Sequence, residues 1–221
     1  MTDLEIYKSY KKDREKIDEM LGGLPSATKD VLNNEVKKLA NENDAASTLK
    51  LKVGDKAPDF TLNNAVGKPV SLYETLKKKK VVLTFYRGTW CPYCNLQLTK
   101  FQEVTFKLKS IGSAVMAISP QNPDESLNMQ QKNNLEFEVL SDAGNKVAAK
   151  YTSINRKSDD YVKAVDGFGK NFNDHYDSNS QEVPVPAVFI IDQDGTVLFA
   201  KSEGGDFTER VEAKEIINAL S

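Results

Sequence analysis

The 221-residue sequence predicts an α/β sandwich with a mixed central sheet. Apolar runs of strand length alternate along the chain with segments whose apolar residues recur at helical spacing, which is typical of a layered α/β domain. The alternation ends with a hairpin of two strands and a final helix. A hairpin pairs its strands antiparallel, so the expected sheet is mixed.

Residues 1–50 predict a polar N-terminal helical arm. Two glycines and a proline interrupt its helical pattern at 22–25, so two helices are expected. The apolar residues that recur at helical spacing are Tyr7, Tyr10, Ile17, Leu21 and Leu24, then Leu32, Val36 and Leu39. This sparse stripe suits packing on a second subunit, which would give a homodimer, and it suits packing on the arm's own domain equally well.

From residue 51 onward strands and helices are expected to alternate. The expected strands are 60–62 paired with 70–72, then 81–86, 114–119 and 137–140, and finally the hairpin 187–192 with 197–200. The expected helices are 98–108, 123–132, one or two turns at 145–151, and a last helix at 213–220. The continuous apolar runs are typical of buried parallel strands. A polar stretch at 152–182 interrupts the alternation.

Composition excludes several classes of function. The 30 Lys and Arg against 32 Asp and Glu give a net charge of −2, which offers no broad electrostatic footprint for nucleic acid or an anionic membrane. No apolar run approaches the ~20 residues of a membrane-spanning helix. The charged first twenty residues do not have the pattern of a secretory signal. We therefore expect a soluble, cytoplasmic protein with no nucleic-acid or membrane partner.

Cys91 and Cys94 are the only cysteines in the chain. A secreted disulfide scaffold would need more of them, spread along the sequence. A structural zinc site would need four ligands, and only His175 is left to supplement the pair. A lone Cys-Pro-Tyr-Cys is more typical of dithiol/disulfide chemistry. No metal, flavin or nucleotide motif accompanies it, so no metal and no cofactor is expected.

The two cysteines follow the strand at 81–86 and begin a helix. Backbone N–H groups and the helix dipole stabilise negative charge there, which lowers the pKa of a thiol. Pro92 suits the first helical position, and the two intervening residues bring the sulfurs within disulfide reach. Arg87 is one of four arginines. It is expected either to hold a thiolate or polarise a bound oxygen, or to lie on the surface.

A resemblance to a known family is carried by residues 85–94, which read Phe-Tyr-Arg-Gly-Thr-Trp-Cys-Pro-Tyr-Cys. This run resembles the active site of the thioredoxin-like AhpC/TSA antioxidant superfamily, in its peroxiredoxin-like branch with a Trp-Cys-Pro-Tyr-Cys motif. The resemblance extends in order to 57–62, 183–187 and 189–192, and so covers about residues 51–221. It implies a thioredoxin fold for 51–221, a three-layer α/β/α sandwich that follows the arm.

The resemblance also implies the residues of the site. The catalytic pair and its support are expected to be Cys91 and Cys94, with Arg87, Thr89, Trp90 and Pro186. The Val185–Pro186 bond is expected to be cis and to lie beside the cysteines, where it shapes the groove for a partner disulfide.

One departure from the family pattern leaves the roles of the cysteines open. Ordinary peroxiredoxins carry Pro-x-x-x-Thr-x-x-Cys, which puts Arg87 in the place of the proline, Cys91 in that of the threonine, and makes Cys94 the attacking cysteine. The thioredoxin pattern instead makes Cys91 the exposed nucleophile and Cys94 the buried resolving thiol. Where ordinary peroxiredoxins carry an arginine, this chain has Pro186 and Ala187, so Arg87 would have to replace that arginine.

Further candidates lie near the motif and in the polar stretch at 152–182. His175 is expected to be a solvent-exposed loop histidine, since Cys–His catalysis requires a proximity that sequence does not show. The stretch also carries four aromatic residues, and it either caps the site or only connects two elements. These aromatic residues are Tyr161, Phe168, Phe172 and Tyr176. Trp90 and Tyr93 either form an apolar rim for a partner or organic peroxide, or simply pack the turn.

These features predict a thiol-dependent peroxidase that reduces hydrogen peroxide or organic hydroperoxides. One cysteine attacks the peroxide and its neighbour condenses with it to a Cys91–Cys94 disulfide. Thioredoxin or another dithiol then reduces that disulfide by exchange. The alternative is a thiol–disulfide oxidoreductase that acts on protein disulfides through Cys91. A third hypothesis is a redox-sensing or structural module in which the arm makes the functional contacts.

Overall fold

The central sheet has seven strands in the order β2-β1-β5-β4-β3-β8-β9. A computed structural model describes residues 9–221. The strands are β1 Thr61–Asn64, β2 Pro69–Ser71, β3 Lys80–Phe85, β4 Ser113–Ser119, β5 Glu138–Ser141, β6 Ile154–Arg156, β7 Glu182–Pro184, β8 Ala187–Ile191 and β9 Val197–Ser202. Strand β4 runs parallel to both β3 and β5, whereas β8 pairs antiparallel with β3 and β9. The predicted mixed sheet is therefore confirmed, and its buried strands agree with the predicted runs to within about two residues.

Helices cover both faces of this sheet. They are α1 Tyr10–Gly22, α2 Ser26–Glu42, α3 Ala45–Thr48, α4 Leu72–Leu76, α5 Pro92–Ser110, α6 Pro123–Lys132, α7 Asp159–Asp166 and α8 Ala213–Leu220. Because successive strand residues point to opposite faces, Val82 and Leu83 belong to two different cores. The first core is shared with α5 and α8, and the second with α4. The result is a three-layer α/β/α sandwich.

The arm packs on its own domain, which is one of the two arrangements that the sequence left open. Tyr10 at the start of α1 is buried, and its hydroxyl donates to the carbonyl of Thr208 at 2.6 Å. Further along α1, the Asp13 carboxylate lies 2.7 Å from the buried ammonium of Lys100 on α5. Tyr7, part of the predicted arm pattern, lies outside the described residues. Within residues 9–221 no helix is both long and apolar enough to cross a membrane.

The end of α2 rests against a pair of glycines that follow β9. Gly204 has φ +73°, a conformation that favours glycine, and the N–H of Gly205 donates to the carbonyl of Asn43 at 2.7 Å. A Cβ atom added to Gly205 would overlap the backbone carbonyl of Leu39 in α2. The absence of a side chain at Gly205 therefore allows the close approach of the arm.

The polar stretch at 152–182 is structured. It contains β6, α7, the 3-10 turn Phe172–His175 and the start of β7, and β6 pairs with β7 in a separate two-stranded sheet.

The Val185–Pro186 peptide bond is trans, which corrects the expectation of a cis bond, since residues 9–221 contain no cis peptide. The N–H of Val185 donates to the carbonyl of Ser153 at 2.8 Å, and the Thr152 hydroxyl donates to the carbonyl of Val185 at 2.9 Å. Both backbone polar groups of Val185 are therefore hydrogen-bonded while the peptide bond that follows is trans. An X–Pro bond favours the trans form by ~0.5–1 kcal/mol, so the family pattern alone did not decide the isomer.

Candidate active site

Cys91 and Cys94 lie at the N-terminus of α5, after the loop 87–90 that leaves β3. Cys91 immediately precedes the helix and Pro92 occupies its first position, where the missing N–H costs no hydrogen bond. The carbonyl of Cys91 accepts from the N–H of Cys94 at 3.1 Å, which closes the first turn between the two residues. Both thiols are free and buried, with Cys91 1% and Cys94 0% exposed.

The guanidinium of Arg87 is buried beside Cys91, so the surface alternative for this residue is wrong. Its Nη1 atom lies 3.8 Å from Sγ of Cys91, and its Nη2 atom donates to the hydroxyl of Tyr161 at 2.6 Å. The same guanidinium lies 3.7 Å from the centroid of the Phe207 ring. The backbone N–H of Arg87 also points to Sγ of Cys94 at 3.5 Å. Arg87 therefore contacts both sulfurs.

A second buried guanidinium, that of Arg210, faces Cys94, and the sequence did not single it out. Nη2 of Arg210 lies 3.5 Å from Sγ of Cys94. Its Nη1 atom donates to the carbonyls of Phe207 and Glu209, which fix the side chain from the segment between β9 and α8. The only signal for Arg210 in the sequence was that the chain has just four arginines. Two cations thus border the cysteine pair.

These cations and the hydrogen bond between the two sulfurs set the protonation of the pair. Burial alone raises the pKa of Cys94, but the Cys91 thiol and the Arg210 and Arg87 guanidiniums stabilise the thiolate and lower this pKa well below its usual range. Burial raises the pKa of Cys91, and the shared hydrogen bond and the charge of Cys94 raise it further. The environment therefore favours the thiolate on Cys94 and the protonated thiol on Cys91.

Thr89 joins the 87–90 loop to a buried polar cluster. Its hydroxyl donates to Oε2 of Glu125 at 2.7 Å and accepts from Nε2 of Gln121 at 2.9 Å. The same Glu125 oxygen lies 2.7 Å from Nδ1 of His175. His175 is buried, so its expected exposure is wrong: Glu125 and Thr89 supply hydrogen-bond partners that its polar neighbourhood in the sequence did not reveal. Across residues 9–221, no three His, Cys, Asp or Glu side chains gather in an arrangement that could hold a metal ion.

Trp90 ties the same loop to the polar stretch at 152–182. Its indole N–H donates to the hydroxyl of Tyr176 at 2.6 Å, and this hydroxyl donates to the carbonyl of Arg87 at 3.0 Å. The centroid of the Phe172 ring lies 5.0 Å from the centroid of the Trp90 ring. The stretch therefore packs directly on the loop before the cysteines. Pro186 precedes Ala187, which pairs with Phe85 at the end of β3.

A cavity of about 680 Å³ opens above Cys91, between the arm and the domain. Arg87, Trp90 and Tyr93 line it on the side of the cysteines, and Cys94 does not contribute to its lining. The arm contributes residues of α1 and α2 to the opposite wall. The hydroxyl of Tyr93 donates to Asp18 of α1 at 2.8 Å, which fixes the arm at the edge of the cavity.

A buried lysine behind the site lies beside a carboxylate of the arm. Nζ of Lys157 lies 3.6 Å from Oε1 of Glu35 on α2, and both side chains are buried. Nζ of Lys157 also lies 5.5 Å from the centroid of the Phe207 ring. The Arg87 guanidinium packs over the same ring. The arm therefore supplies a counter-charge beside the site.

The chain is similar to known proteins over most of its length. A family model described as the AhpC/TSA family matches residues 53–200. "Putative peroxiredoxin Rv2521" of Mycobacterium tuberculosis is 29% identical over 154 residues, which cover 70% of this chain and 87% of that protein. "Thiol-disulfide oxidoreductase ResA" of Bacillus anthracis is 29% identical over 150 residues, which cover 67% of this chain and 69% of that one.

Among solved structures, the crystal structure of peroxidoxin BcpB from Mycobacterium tuberculosis superimposes with a TM-score of 0.60. The match covers 77% of this chain and 96% of that chain, at 22% sequence identity. This likeness confirms the predicted thioredoxin fold.

Proposed function

Because the chain belongs to the AhpC/TSA family, we propose that it is a thiol-dependent peroxidase, an antioxidant oxidoreductase that reduces peroxides through Cys91 and Cys94. Two buried thiols face two buried guanidinium groups, and this observation carries the proposal. Such a setting stabilises a thiolate near neutral pH, and the thiolate is the form of cysteine that attacks.

Cys91 is the attacking sulfur in the proposed reaction, because it lines the cavity and Cys94 does not. The proton of Cys91 passes along the shared hydrogen bond to Cys94. The Cys91 thiolate then attacks the terminal oxygen of ROOH, the O–O bond breaks, and the products are a Cys91 sulfenic acid and an alkoxide. Cys94 returns the proton to the alkoxide, which leaves as ROH.

The Cys94 thiolate is thereby regenerated next to the sulfenic acid. It attacks the Cys91 sulfur, which forms the Cys91–Cys94 disulfide and releases hydroxide. Nη1 of Arg87, 3.8 Å from Sγ of Cys91, is placed to stabilise negative charge on the leaving oxygen. Thr89, Trp90 and Pro186 would act by positioning the loop and the strand around this reaction.

An external dithiol reduces the disulfide and completes the cycle. We propose thioredoxin or a similar dithiol for this step and the cytoplasm as its location, since that compartment keeps thiols reduced. A homodimer stays a prediction of the sequence, which the molar mass in solution tests.

Trp90, the only tryptophan, reports on the reaction because it lines the cavity with Cys91. Reduced wild type, Cys91→Ser and Cys94→Ser are mixed with substoichiometric peroxide in a stopped-flow fluorimeter. We expect a wild-type rate far above that of a free thiol, no fast phase in Cys91→Ser, and a sulfenic acid without a disulfide in Cys94→Ser. A wild-type rate no greater than that of free cysteine refutes the peroxidase. A fast phase that survives in Cys91→Ser alone assigns the attack to Cys94.

A second candidate function, thiol–disulfide oxidoreductase, is favoured by the similarity to ResA. A protein disulfide must reach Cys91, which is only 1% exposed, whereas a peroxide is small enough to enter the cavity. This burial favours the peroxidase. If a protein disulfide oxidised the reduced protein faster than peroxide does, thiol–disulfide oxidoreductase would become the favoured function.

A further inference from the structure

The cavity above Cys91 is much larger than hydrogen peroxide needs. A water molecule occupies about 30 Å³ in the liquid, and hydrogen peroxide has only one more heavy atom. The cavity holds about 680 Å³, within the ~300–1,000 Å³ range of pockets that bind drug-sized organic molecules. Hydrogen peroxide would leave most of this volume to water, in contact with apolar walls.

The walls of the cavity are mostly apolar on both sides, although Asp18, Lys29 and Asn33 of the arm also line it. Leu21 of α1 and Leu32 and Val36 of α2 line it from the arm. The domain contributes a facing set of apolar and aromatic side chains, namely Trp90, Tyr161, Val165, Phe168 and Phe207. Two lining side chains are solvent-exposed, Met20 at 60% and Phe168 at 49%, so apolar surface extends from the solvent inward. Transfer of an apolar group from water to this surface is therefore favourable in free energy along the whole path.

The reacting groups lie on one side of the cavity. Cys91 and Arg87 both line it, so a hydroperoxide group placed there would contact the thiol and the guanidinium. The rest of the same molecule would then extend along the apolar walls. The cavity thus has the polar and apolar regions that a bulky organic hydroperoxide requires.

The arm wall is held in place by contacts on both of its helices. Asp18 of α1 accepts from Tyr93 at 2.8 Å, and Glu35 of α2 pairs with the buried Lys157 at 3.6 Å. A wall that is already ordered loses little conformational entropy when it binds an apolar group.

We infer that the arm determines substrate preference: its wall of the cavity contacts the apolar substituent of a bulky organic hydroperoxide and so favours such substrates over hydrogen peroxide. The inference rests on the proposed peroxidase function. The arm precedes the part of the chain that the AhpC/TSA model matches, residues 53–200, so the family match does not account for it.

Val36→Phe tests the inference, because it fills the cavity from the arm side. The matched control is Lys38→Phe, which adds the same ring at an exposed position of α2 that does not line the cavity. The ratio of kcat/KM for cumene hydroperoxide to kcat/KM for hydrogen peroxide is measured for all three proteins. We expect this ratio to fall about tenfold or more in Val36→Phe, a size typical of steric changes in an apolar pocket, and to stay unchanged in Lys38→Phe.

A binding measurement supplies a readout that does not require turnover. Cumyl alcohol, the product of cumene hydroperoxide reduction, should change Trp90 fluorescence saturably in wild type and in Lys38→Phe, and only weakly in Val36→Phe. Circular dichroism and urea unfolding check that Val36→Phe folds. An unchanged substrate ratio in folded Val36→Phe, or a loss equal for both peroxides, overturns the inference. Failure of the wild type to reduce either peroxide refutes the proposed function instead, and alcohol binding then still reports on the cavity.

Discussion

Nη2 of Arg210 lies 3.5 Å from Sγ of Cys94, although the two residues are 116 positions apart in the sequence. The segment between β9 and α8 carries this guanidinium to the N-terminus of α5. The helix end alone would place only about half a positive charge beside the thiols. Arg210 adds a full charge within contact distance of one sulfur, so two distant parts of the chain build the thiolate site together.

Replacement of Arg210 by lysine should weaken the thiolate on Cys94. A lysine keeps the charge, but its compact ammonium lacks the planar fork that reaches two backbone carbonyls and the sulfur at once. The pKa of Cys94 should therefore rise, and at any pH below the midpoint the thiolate-to-thiol ratio should fall about tenfold. The ultraviolet absorbance of the thiolate, followed as a function of pH, measures this change. Arg156→Lys, at an exposed arginine that pairs with Asp159, is the control and should leave the titration unchanged.

The carboxylate of Glu125 should make stability depend on acid pH. Burial raises the pKa of Glu125, but hydrogen bonds from Lys170, Thr89 and His175 lower it to about 2. Since an unfolded glutamate titrates near pH ~4.3, the ionised form stabilises the fold fully above that pH. This contribution, about 3 kcal/mol, should be lost as pH falls toward about 2.

Urea unfolding of wild type and Glu125→Gln at a series of pH values measures this contribution. The difference in free energy of unfolding should shrink as the pH falls through the acid range. Glu136→Gln, at an exposed glutamate that pairs with Lys109, should show no such trend. A wild-type advantage over Glu125→Gln that is the same at every pH would contradict the assignment.

Removal of the Glu35 carboxylate should leave Lys157 buried without a counter-charge. Burial, and then repulsion from Arg87, already lower the pKa of Lys157 well below its usual range. At a pH below the lowered pKa of Lys157, Glu35→Gln should cost about 3–5 kcal/mol of unfolding free energy, because it leaves the buried ammonium unpaired. The cost should shrink as the pH rises through that pKa, because the neutral amine no longer needs a counter-charge and the unfolded lysine is the same in both proteins.

Two further variants test the origin of that cost. Lys157→Met added to Glu35→Gln should restore much of the stability, because it removes the unpaired charge. Asp160→Asn breaks an exposed pair with Lys163 and should change stability little. No recovery in the double variant would show that lost packing, and not charge, is responsible.

Gly205→Ala should disturb the packing of α2 against the segment that follows β9. The added Cβ would overlap the backbone carbonyl of Leu39, which cannot move without shifting α2. We expect a loss of about 1–3 kcal/mol in urea unfolding, as is typical of overpacked sites. Gly22→Ala is the control, since a Cβ there meets no atom within 4 Å. Equal stability of Gly205→Ala and wild type would mean that α2 is not held against this segment.

Local patterns in the sequence predicted the strands well and the polar partners poorly. Strands β3 and β8 are buried on both faces, so their sequences are continuously apolar and easily recognised. The burial of His175 depends on Glu125, which is 50 positions away, and no local pattern encodes that pairing. Arg210 was missed for the same reason. The isomer of Pro186 depends on a small energy difference that its backbone partners decide.

The burial of both thiols has a consequence for the timing of the proposed catalytic cycle. Oxidation requires only that a small molecule diffuse into the cavity. Reduction by a protein dithiol requires a sulfur atom of another macromolecule to touch the disulfide, so the side chains that bury Cys91 must first move aside. The two half-reactions therefore differ in the size of the partner that must reach Cys91, and the rate of the second should report how often this residue becomes accessible.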